Sequence, residues 1–407
     1  MPLRNFLLTG GRFGFGSGGG GGGPAPVVPL FKYAAGDSLS AATYSRASTG
    51  TFSDASQVLQ TAASGTARDS HYALDPVSLS YKRTILLEGQ RTNFTAQSEQ
   101  FSHAVWNASA FTITADSVTS PNGSVSADNA VSAGSGSFFA QNLGSWNEGG
   151  VNTFSVWLKG SGAVIIYMAK NGGDYANYGT TTDITLTSSW VRYTNTITKT
   201  PDGYTLQPYV VTTSACNMDV WGAQVEAGAF PSSYIPTTSA AVTRAADSLS
   251  FAYTAPPQEQ TVYFRGYELG SQQLSGARLW EISDTAGANP RLAAQSNGTT
   301  GYFAKHHNGT LDRSSLVDPE FVLGDRLEMR VTLGSDGVVT GFASRNAAAE
   351  QLGSESAAAT LAAFWSEEIL WLNSGGDALN IGSMAVRDLV VFAGTKTLTE
   401  CRAAVTA

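Results

Sequence analysis

Four aromatic side chains stand where they could serve as platforms for a sugar ring. Trp146 lies in the glycine-rich stretch "GSWNEGG", and Tyr175 and Tyr178 lie in "NGGDYANYG". Trp157 belongs to the alternating stretch "TFSVWLKG", on the opposite side from its apolar residues and beside Lys159. Carbohydrate sites use aromatic rings for the apolar faces of sugars and short polar side chains for the hydroxyls. These four aromatic residues are candidates for glycan contact, and packing in a core or a loop is the alternative.

The residue types that catalysis needs are present, but not in a recognisable arrangement. The four histidines have no metal-binding spacing to a Cys, Asp or Glu, and there is no G-x-S-x-G elbow or P-loop. Glycoside hydrolysis needs only two carboxylates at a set separation. Candidate carboxylates are Asp174, Asp183, Glu226, Asp284 and Glu328. Because nothing in the sequence brings two of them together, we expect no enzyme, no cofactor and no metal site.

The composition excludes two classes of partner. The formal net charge is -8, and no Lys/Arg cluster supplies the concentrated positive charge that phosphate binding needs. No window approaches the roughly 18 apolar residues of a membrane span, and the opening "MPLRNFLLTGG" is too quickly broken for a signal peptide. We therefore expect neither nucleic-acid binding nor membrane insertion.

The pattern along the chain predicts an all-β protein with two antiparallel β-sandwich domains after an extended, irregular N-terminal segment. Only 14% of the residues are charged, so Ser, Thr, Asn, Gln and Gly must cover much of the surface, which suits sandwich strands. Turn sequences such as "KNGGD", "KTPDG" and "GSDG" separate alternating runs. The only credible helices are an alanine-rich piece around 354–364 and the terminal "TLTECRAAV". Cys216 and Cys401 are expected to be buried apolar residues rather than a disulfide pair.

We divide the chain into five parts by composition. Residues 1–29 form a glycine-rich attachment peptide, and 30–95 form an irregular segment that packs on the following domain. Residues 96–248 form the first sandwich, 249–257 a proline-containing linker and 258–407 the second sandwich.

The N-terminal peptide has two interpretations. Composition alone predicts a flexible linker, since "SGGGGGGPAPVVP" is nearly all glycine and proline. The alternative is an anchor that presses apolar side chains into a partner while the glycines let the backbone approach closely. The anchor candidates are Phe6, Leu7, Leu8, Phe13 and Phe15.

The stretches "FSVWLKG", "SWVRYTNT" and above all "WGAQVEAGAFPSSYIPTT" resemble a family of bacteriophage virion proteins, described as head spikes, tail fibres and carbohydrate-binding-like proteins. Together with "YSRASTGTFSDASQVLQTAA", they extend the resemblance over about residues 44–248. It implies a jelly roll similar to carbohydrate-binding modules in the middle of the chain. Residues 258–407 resemble a concanavalin-A-type or laminin-G-type sandwich more weakly, without a clear cluster of calcium ligands.

This resemblance implies a particle protein, in the virion after assembly in the bacterial cytoplasm. The N-terminus would attach to other virion proteins, whether capsid, connector or tail, and the sandwiches would adhere to host-surface glycans. A homo-oligomer is implied, with a trimer favoured. Two alternatives stay open: a polysaccharide depolymerase on the same fibre, and a purely architectural subunit that binds no glycan.

Overall fold

The predicted all-β class is confirmed. The computed structural model describes residues 29–144, 147, 149–171, 178–179, 181–254, 259–270, 277–283, 290–296, 301–307, 312–317, 321–348, 351–352, 367–372 and 383–406. Within these ranges the chain forms 29 strands, all paired antiparallel, and one short helix. No helix in the described part of the chain is long and apolar enough to cross a membrane. The anchor candidates Phe6 to Phe15 and the alanine-rich piece 354–364 lie outside the described residues.

The strands fall into three stretches of the chain. The first stretch holds β1 (Phe31–Ala34), β2 (Ala42–Ser45), β3 (Gly50–Ser53), β4 (Leu59–Ala62), β5 (His71–Asp75), β6 (Ser80–Glu88) and β7 (Arg91–Asn93). The second holds β8 (Asn107–Ser109), β9 (Thr112–Thr119), β10 (Val125–Ser132), β11 (Phe138–Ala140), β12 (Val151–Ser161), β13 (Ala163–Asn171), β14 (Thr182–Thr185), β15 (Val191–Thr198), β16 (Thr205–Thr212) and β17 (Cys216–Ala227).

The third stretch holds β18 (Val242–Arg244), β19 (Ser248–Thr254), β20 (Gln260–Glu268), β21 (Arg278–Ser283), β22 (Pro290–Ser296), β23 (Tyr302–His307), β24 (Asp312–Val317), β25 (Arg326–Leu333), β26 (Val339–Arg345), β27 (Gln351–Leu352), β28 (Glu367–Leu372) and β29 (Ser383–Ala393). The predicted terminal helix is confirmed as α1 (Leu398–Thr406). It begins with a capping box, in which the Thr397 backbone N–H donates to the Glu400 carboxylate and the Glu400 N–H donates to the Thr397 hydroxyl.

The middle stretch folds into a sandwich of two five-stranded sheets. Sheet M1 has the strand order β14-β13-β16-β11-β8, and sheet M2 has the order β15-β12-β17-β10-β9. Phe154, Val156 and Leu158 of M2 are fully buried against Ile166 and Val210 of M1, so the alternation predicted for "TFSVWLKG" is confirmed. Strands with this period bury one face and leave the other for different partners.

The second sandwich draws on both ends of the chain. Sheet C1 runs β27-β26-β25-β20-β29-β6-β5, with β1 also paired to β29, and sheet C2 runs β2-β19-β28-β21-β22-β23-β24. Its core joins Phe264 and Leu389 of C1 to Phe251 and Leu370 of C2. The predicted hairpin at "GSDG" connects β25 to β26, and its Gly334 N–H donates to the Val338 carbonyl.

Segment 30–95 therefore differs from the expected irregular layer on the middle domain. Strands β1, β2, β5 and β6 belong to the sheets of the second sandwich, and Tyr33 and Ile85 lie in its core. The expected linker 249–257 likewise begins with strand β19, because Leu249, Phe251 and Tyr253 alternate into the same core. The middle sandwich is thus inserted between β6 and β19, and the short strands β7 and β18 pair at the point of insertion. Domain insertion of this kind needs entry and exit chains that lie close together.

A bulge in M2 depends on one glycine. The register of β12 against β17 shifts between Ser155 and Trp157, opposite Gly222. Gly222 has φ +67°, and a Cβ there would lie 2.7 Å from Cε3 of Trp157. The backbone conformation and the close approach of the indole both require glycine at this position.

Gly222→Ala should lower the free energy of unfolding by about 2–5 kcal/mol, since it combines the cost of a left-handed Ala with overpacking against Trp157. Gly203→Ala is the matched control, because Gly203 has φ +73° but nothing within 4 Å of its added Cβ. That control should lose only about 1–2 kcal/mol. Urea denaturation of both variants measures the difference, and equal losses would contradict the packing argument.

Candidate functional site

An aromatic row lies on the face of M1 that points away from the core. Tyr167 of β13 is the register partner of Tyr209 of β16, and Tyr209 is in turn the partner of Ala140 of β11. The neighbouring residues Ile166 and Val210 point into the core and are fully buried. Because strand side chains alternate, the two tyrosines share the outer face.

These rings border a groove of about 450 Å³ on that face. The rings of Tyr167 and Tyr209 stack with centroids 4.9 Å apart and planes within 11°. The ring of Phe138 lies 5.8 Å from that of Tyr209, tilted by 53°. The described residues that line the groove are Asn107, Phe138, Tyr167, Asn171, Gln207, Tyr209 and Val211.

The polar groups of the groove are neutral amides and phenols. The Tyr209 hydroxyl donates to Oε1 of Gln207 at 2.8 Å, which orients the amide. Burial raises the pKa of Tyr167, so this phenol stays protonated at neutral pH and can donate a hydrogen bond. Asn107 and Asn171 each add a carboxamide that both donates and accepts. No carboxylate belongs to the described lining of the groove.

This combination suits a ligand with apolar C–H faces and several hydroxyl groups. Aromatic rings offer the apolar contact, and amides supply the paired donors and acceptors that hydroxyls require. The groove also has the size of an ordinary small-ligand site. Its chemistry is therefore that of a neutral sugar site.

None of the four aromatic residues singled out from the sequence is in the described lining of the groove. Trp146 and Tyr175 lie outside the described residues. Tyr178 donates from its hydroxyl to Oδ1 of Asp202 at 3.0 Å, and its ring lies 5.8 Å from Nζ of Lys170. Whether any of them contacts a glycan stays a prediction.

Trp157 lies on the outer face of M2, as its phase in the strand predicts. It is only 9% exposed, because the rings of Trp221 and Tyr234 pack against it at 5.4 and 5.3 Å. The Arg192 guanidinium covers its face at 4.4 Å. Trp157 thus lines a second cavity, of about 420 Å³, on the side of the molecule where the first strands pack against M2.

The groove tyrosines were missed although a sequence signal exists. In "AVIIYMAKN", Tyr167 stands out of phase with Val164, Ile166 and Met168, as Trp157 does in its own strand. An aromatic residue at an outward position of a strand is the shared signal. What the sequence alone does not contain is the pairing of β13 with β16, which brings Tyr167 beside Tyr209.

The three candidate carboxylates in the described part of the chain have separate surroundings. Asp183 is exposed on β14, whereas Glu226 is buried beside Arg91, with 3.5 Å between Arg91 Nε and Glu226 Oε2. Glu328 pairs with Arg326 at 2.5 Å and also with Arg402. Asp174 and Asp284 lie outside the described residues. Among the residues with described positions, no group of three or more His, Cys, Asp or Glu could hold a metal ion. The prediction that both cysteines are buried is confirmed.

A half-buried histidine lies at the second cavity. His71 of β5 accepts a hydrogen bond at Nδ1 from the Ser53 backbone N–H at 3.2 Å. Burial, reinforced by the nearby Arg68 cation and opposed by Glu88, lowers the pKa of His71 to about 4. The imidazole is therefore neutral at pH 7, and its proton resides on Nε2.

No family model and no curated protein matches the chain. Among solved structures, a CBM4 carbohydrate-binding module is 16% identical, covers 34% of this chain and 94% of its own, and has a TM-score of 0.24. The CBM22 tandem of Xyn10C from Paenibacillus barcinonensis is 8% identical, with 77% and 98% covered and a TM-score of 0.26. A conserved carbohydrate esterase of the Shiga toxin-encoding bacteriophage phi24B is 8% identical, with 75% and 97% covered and a TM-score of 0.18. Scores this low carry no argument about the site.

His71 should make stability depend on pH between its unfolded and folded pKa values. The unfolded chain takes up a proton near the ordinary histidine pKa of 6.5, whereas the folded chain does so only near a pKa of about 4, so stability falls as pH falls through this window. We expect a loss of about 2 kcal/mol between pH 7 and pH 5 from this side chain.

His71→Asn keeps an acceptor for the Ser53 N–H and cannot titrate, so urea denaturation should show most of that loss abolished. Glu88 does not interfere, because its pKa is lowered in the folded chain and its contribution to stability is lost mainly below the ordinary glutamate pKa of 4.5. His103→Asn, at an exposed position, is the control and should keep the wild-type pH dependence. An unchanged slope in His71→Asn would refute the neutral imidazole.

Proposed function

We propose that the chain binds a host-surface glycan in the groove of sheet M1. The observation that carries the proposal is the aromatic row of Phe138, Tyr167 and Tyr209 beside amide side chains on an outward sheet face. This arrangement offers both kinds of contact that a sugar ring needs. Binding through it requires no catalytic group, so the proposed role is adhesion and not hydrolysis.

The proposed position of the sugar is beside Tyr209 in the groove. One face of Tyr209 is stacked on Tyr167, and its other side adjoins Ala140, whose side chain is a single methyl. Asn107 pairs with Ala140 on the next strand. A sugar ring in the groove would contact Tyr209 and Phe138 through C–H groups and the Asn107 amide through a hydroxyl.

The proposal extends to a particle protein of a phage or phage-like virion. Its support is the sequence resemblance of about residues 44–248 to virion fibre and spike proteins. In this role the N-terminal peptide, with Phe6, Leu7, Leu8, Phe13 and Phe15, attaches the chain to other virion proteins. The sandwiches of a homo-oligomer, with a trimer favoured, then face the host glycan. A depolymerase or an architectural subunit would each give a different result in the experiments below.

Removal of one groove ring should weaken glycan binding by about tenfold or more, as for a buried aromatic contact at the centre of an interface. Tyr209→Ala and Phe138→Ala are the two variants, and Asn107→Ala should cost only a few-fold because it removes one hydrogen bond. Binding is measured on a glycan array and then by calorimetry with the best neutral oligosaccharide.

Tyr81→Ala, which removes a tyrosine that is 48% exposed on the other sandwich, is the control and should bind as wild type does. Released oligosaccharide during the titration would indicate a depolymerase. An array without any binding would indicate an architectural subunit and refute adhesion.

The particle role is tested by two truncations. Removing residues 1–28 should leave both sandwiches folded and abolish incorporation into particles, since the backbone contacts of the sheet begin with the Leu30 N–H, which donates to the Val391 carbonyl at 2.7 Å. Removing 1–35 also deletes β1 and the buried Tyr33, so it should lower the melting temperature. Incorporation is read by immunoblotting of purified particles, and normal incorporation of the first truncation would rule out the anchor.

A further inference from the structure

The second cavity lies where M2, the first strands of the chain and the second sandwich meet. Its volume is about 420 Å³, and most of its lining is apolar. The described residues around it are Phe52, Ser53, Leu59, His71, Leu86, Glu88, Trp157, Arg192, Pro231, Ser232, Ser233, Tyr234, Leu269 and Leu323. None of these residues lines the groove of M1, so the two sites are separate.

One cation in this lining has an unused hydrogen-bonding edge. Nη1 of Arg192 donates to the Ser232 carbonyl at 2.7 Å, and the face of the guanidinium packs on Trp157. Nε and Nη2 are buried, and no acceptor among the described residues reaches them. These two atoms carry the parallel N–H groups that bind a carboxylate in bidentate fashion.

The one carboxylate in the described lining is already paired with other cations. Glu88 and Arg192 both line the cavity, and Glu88 forms ion pairs with Arg68 and Arg244, which do not line it. Both oxygens of Glu88 are engaged, by the Ser233 N–H at 2.8 Å and by Arg68 at 2.6 Å. Glu226 and Glu88 act on Arg192 through space, without an ion pair. Because Nε and Nη2 of Arg192 are buried donors without a partner among the described residues, an acceptor placed there would remove the cost of leaving them unsatisfied.

We propose that this cavity binds a small carboxylate with an apolar body, whose two oxygens accept from Nε and Nη2 of Arg192. The apolar walls formed by Phe52, Leu86 and Trp157 take the body of the ligand. The Nε2–H of His71 is a further donor at the cavity wall, because Nδ1 already accepts from Ser53. A single unpaired guanidinium edge matches the one negative charge of a carboxylate better than the two charges of a phosphate.

Entry of the ligand needs a small movement. Nε and Nη2 are closed to solvent, so the side chains around the guanidinium must adjust before an oxygen reaches them. Leu323 lines the cavity and is 45% exposed, which makes it the natural point of entry. The body of the ligand would displace this side chain toward solvent.

The test is calorimetric titration of the full chain with benzoate at pH 7. Benzamide has the same shape without the charge, and acetate has the charge without the ring. We expect benzoate to bind at least about tenfold more tightly than either, because only benzoate uses both the guanidinium edge and the apolar walls. Equal binding of benzoate and benzamide would overturn the proposal in favour of a bridging water. The same holds if no binding is detected at a benzoate concentration on the order of 10 mM, which corresponds to the weakest useful dissociation constant.

Arg192→Lys keeps the positive charge and removes the bidentate edge, so it should weaken benzoate binding at least about tenfold. Arg387→Lys, at a partly exposed position on C1, is the matched control and should bind as wild type does. Leu323→Glu gives a second test if Arg192→Lys fails to fold, since it places a negative charge at an exposed point of the lining and should repel benzoate.

The groove variant Tyr209→Ala separates this proposal from the glycan site. It should lose glycan binding and keep wild-type benzoate affinity, since Tyr209 is absent from the cavity lining. Loss of benzoate affinity in Tyr209→Ala, or unchanged affinity in both Arg192→Lys and Leu323→Glu, would contradict a site at Arg192.

Discussion

A buried ionic network joins the chain segments that precede and follow the inserted sandwich. Nη1 of Arg68 lies 2.6 Å from Glu88, Nη2 of Arg68 pairs with Asp247, and Arg46 binds Asp247 at 3.0 Å. Arg244 adds a contact to Glu88 at 3.1 Å, and all five side chains are almost completely buried. Deleting one partner would leave an unpaired charge away from water, which costs about 3–5 kcal/mol. The network therefore fixes where the chain leaves the second sandwich and where it returns.

The order of the chain follows from this constraint. Arg68 and Glu88 precede the inserted sandwich, and Asp247 follows it, at a sequence distance of 179 residues from Arg68. The backbones of the two chain segments also meet here, since the Asp247 N–H donates to the Glu88 carbonyl at 2.9 Å. Because these contacts require both ends of the insertion, they form only when the entry and exit segments have come together. Non-local closure of this kind is slow relative to local hairpin formation.

Local features of the fold were predictable from the sequence, and long-range pairings were not. The alternation in β12, the hairpin at "GSDG" and the helix at "TLTECRAAV" each depend on residues close in sequence, and each is confirmed. The pairing of β1 with β29 joins residues such as Phe31 and Val391, for which a single sequence has no signal. The groove could not be predicted from the sequence for the same reason, because Tyr167 and Tyr209 become neighbours only through strand pairing.

The alternation of strand side chains also explains why the groove lies on M1. Both outer faces of the middle sandwich carry aromatic residues, but the face of M2 is covered: Trp221 and Tyr234 are 1% and 2% exposed, and the Thr51 hydroxyl donates to the Tyr234 carbonyl. Aromatic residues on M2 therefore stabilise the contact with the first strands of the chain. The insertion leaves M1 as the face on which Phe138 and Tyr167 are only partly buried. An aromatic ring that no other part of the chain covers can contact a ligand. The geometry of the insertion therefore decides which of the two aromatic faces is the candidate site.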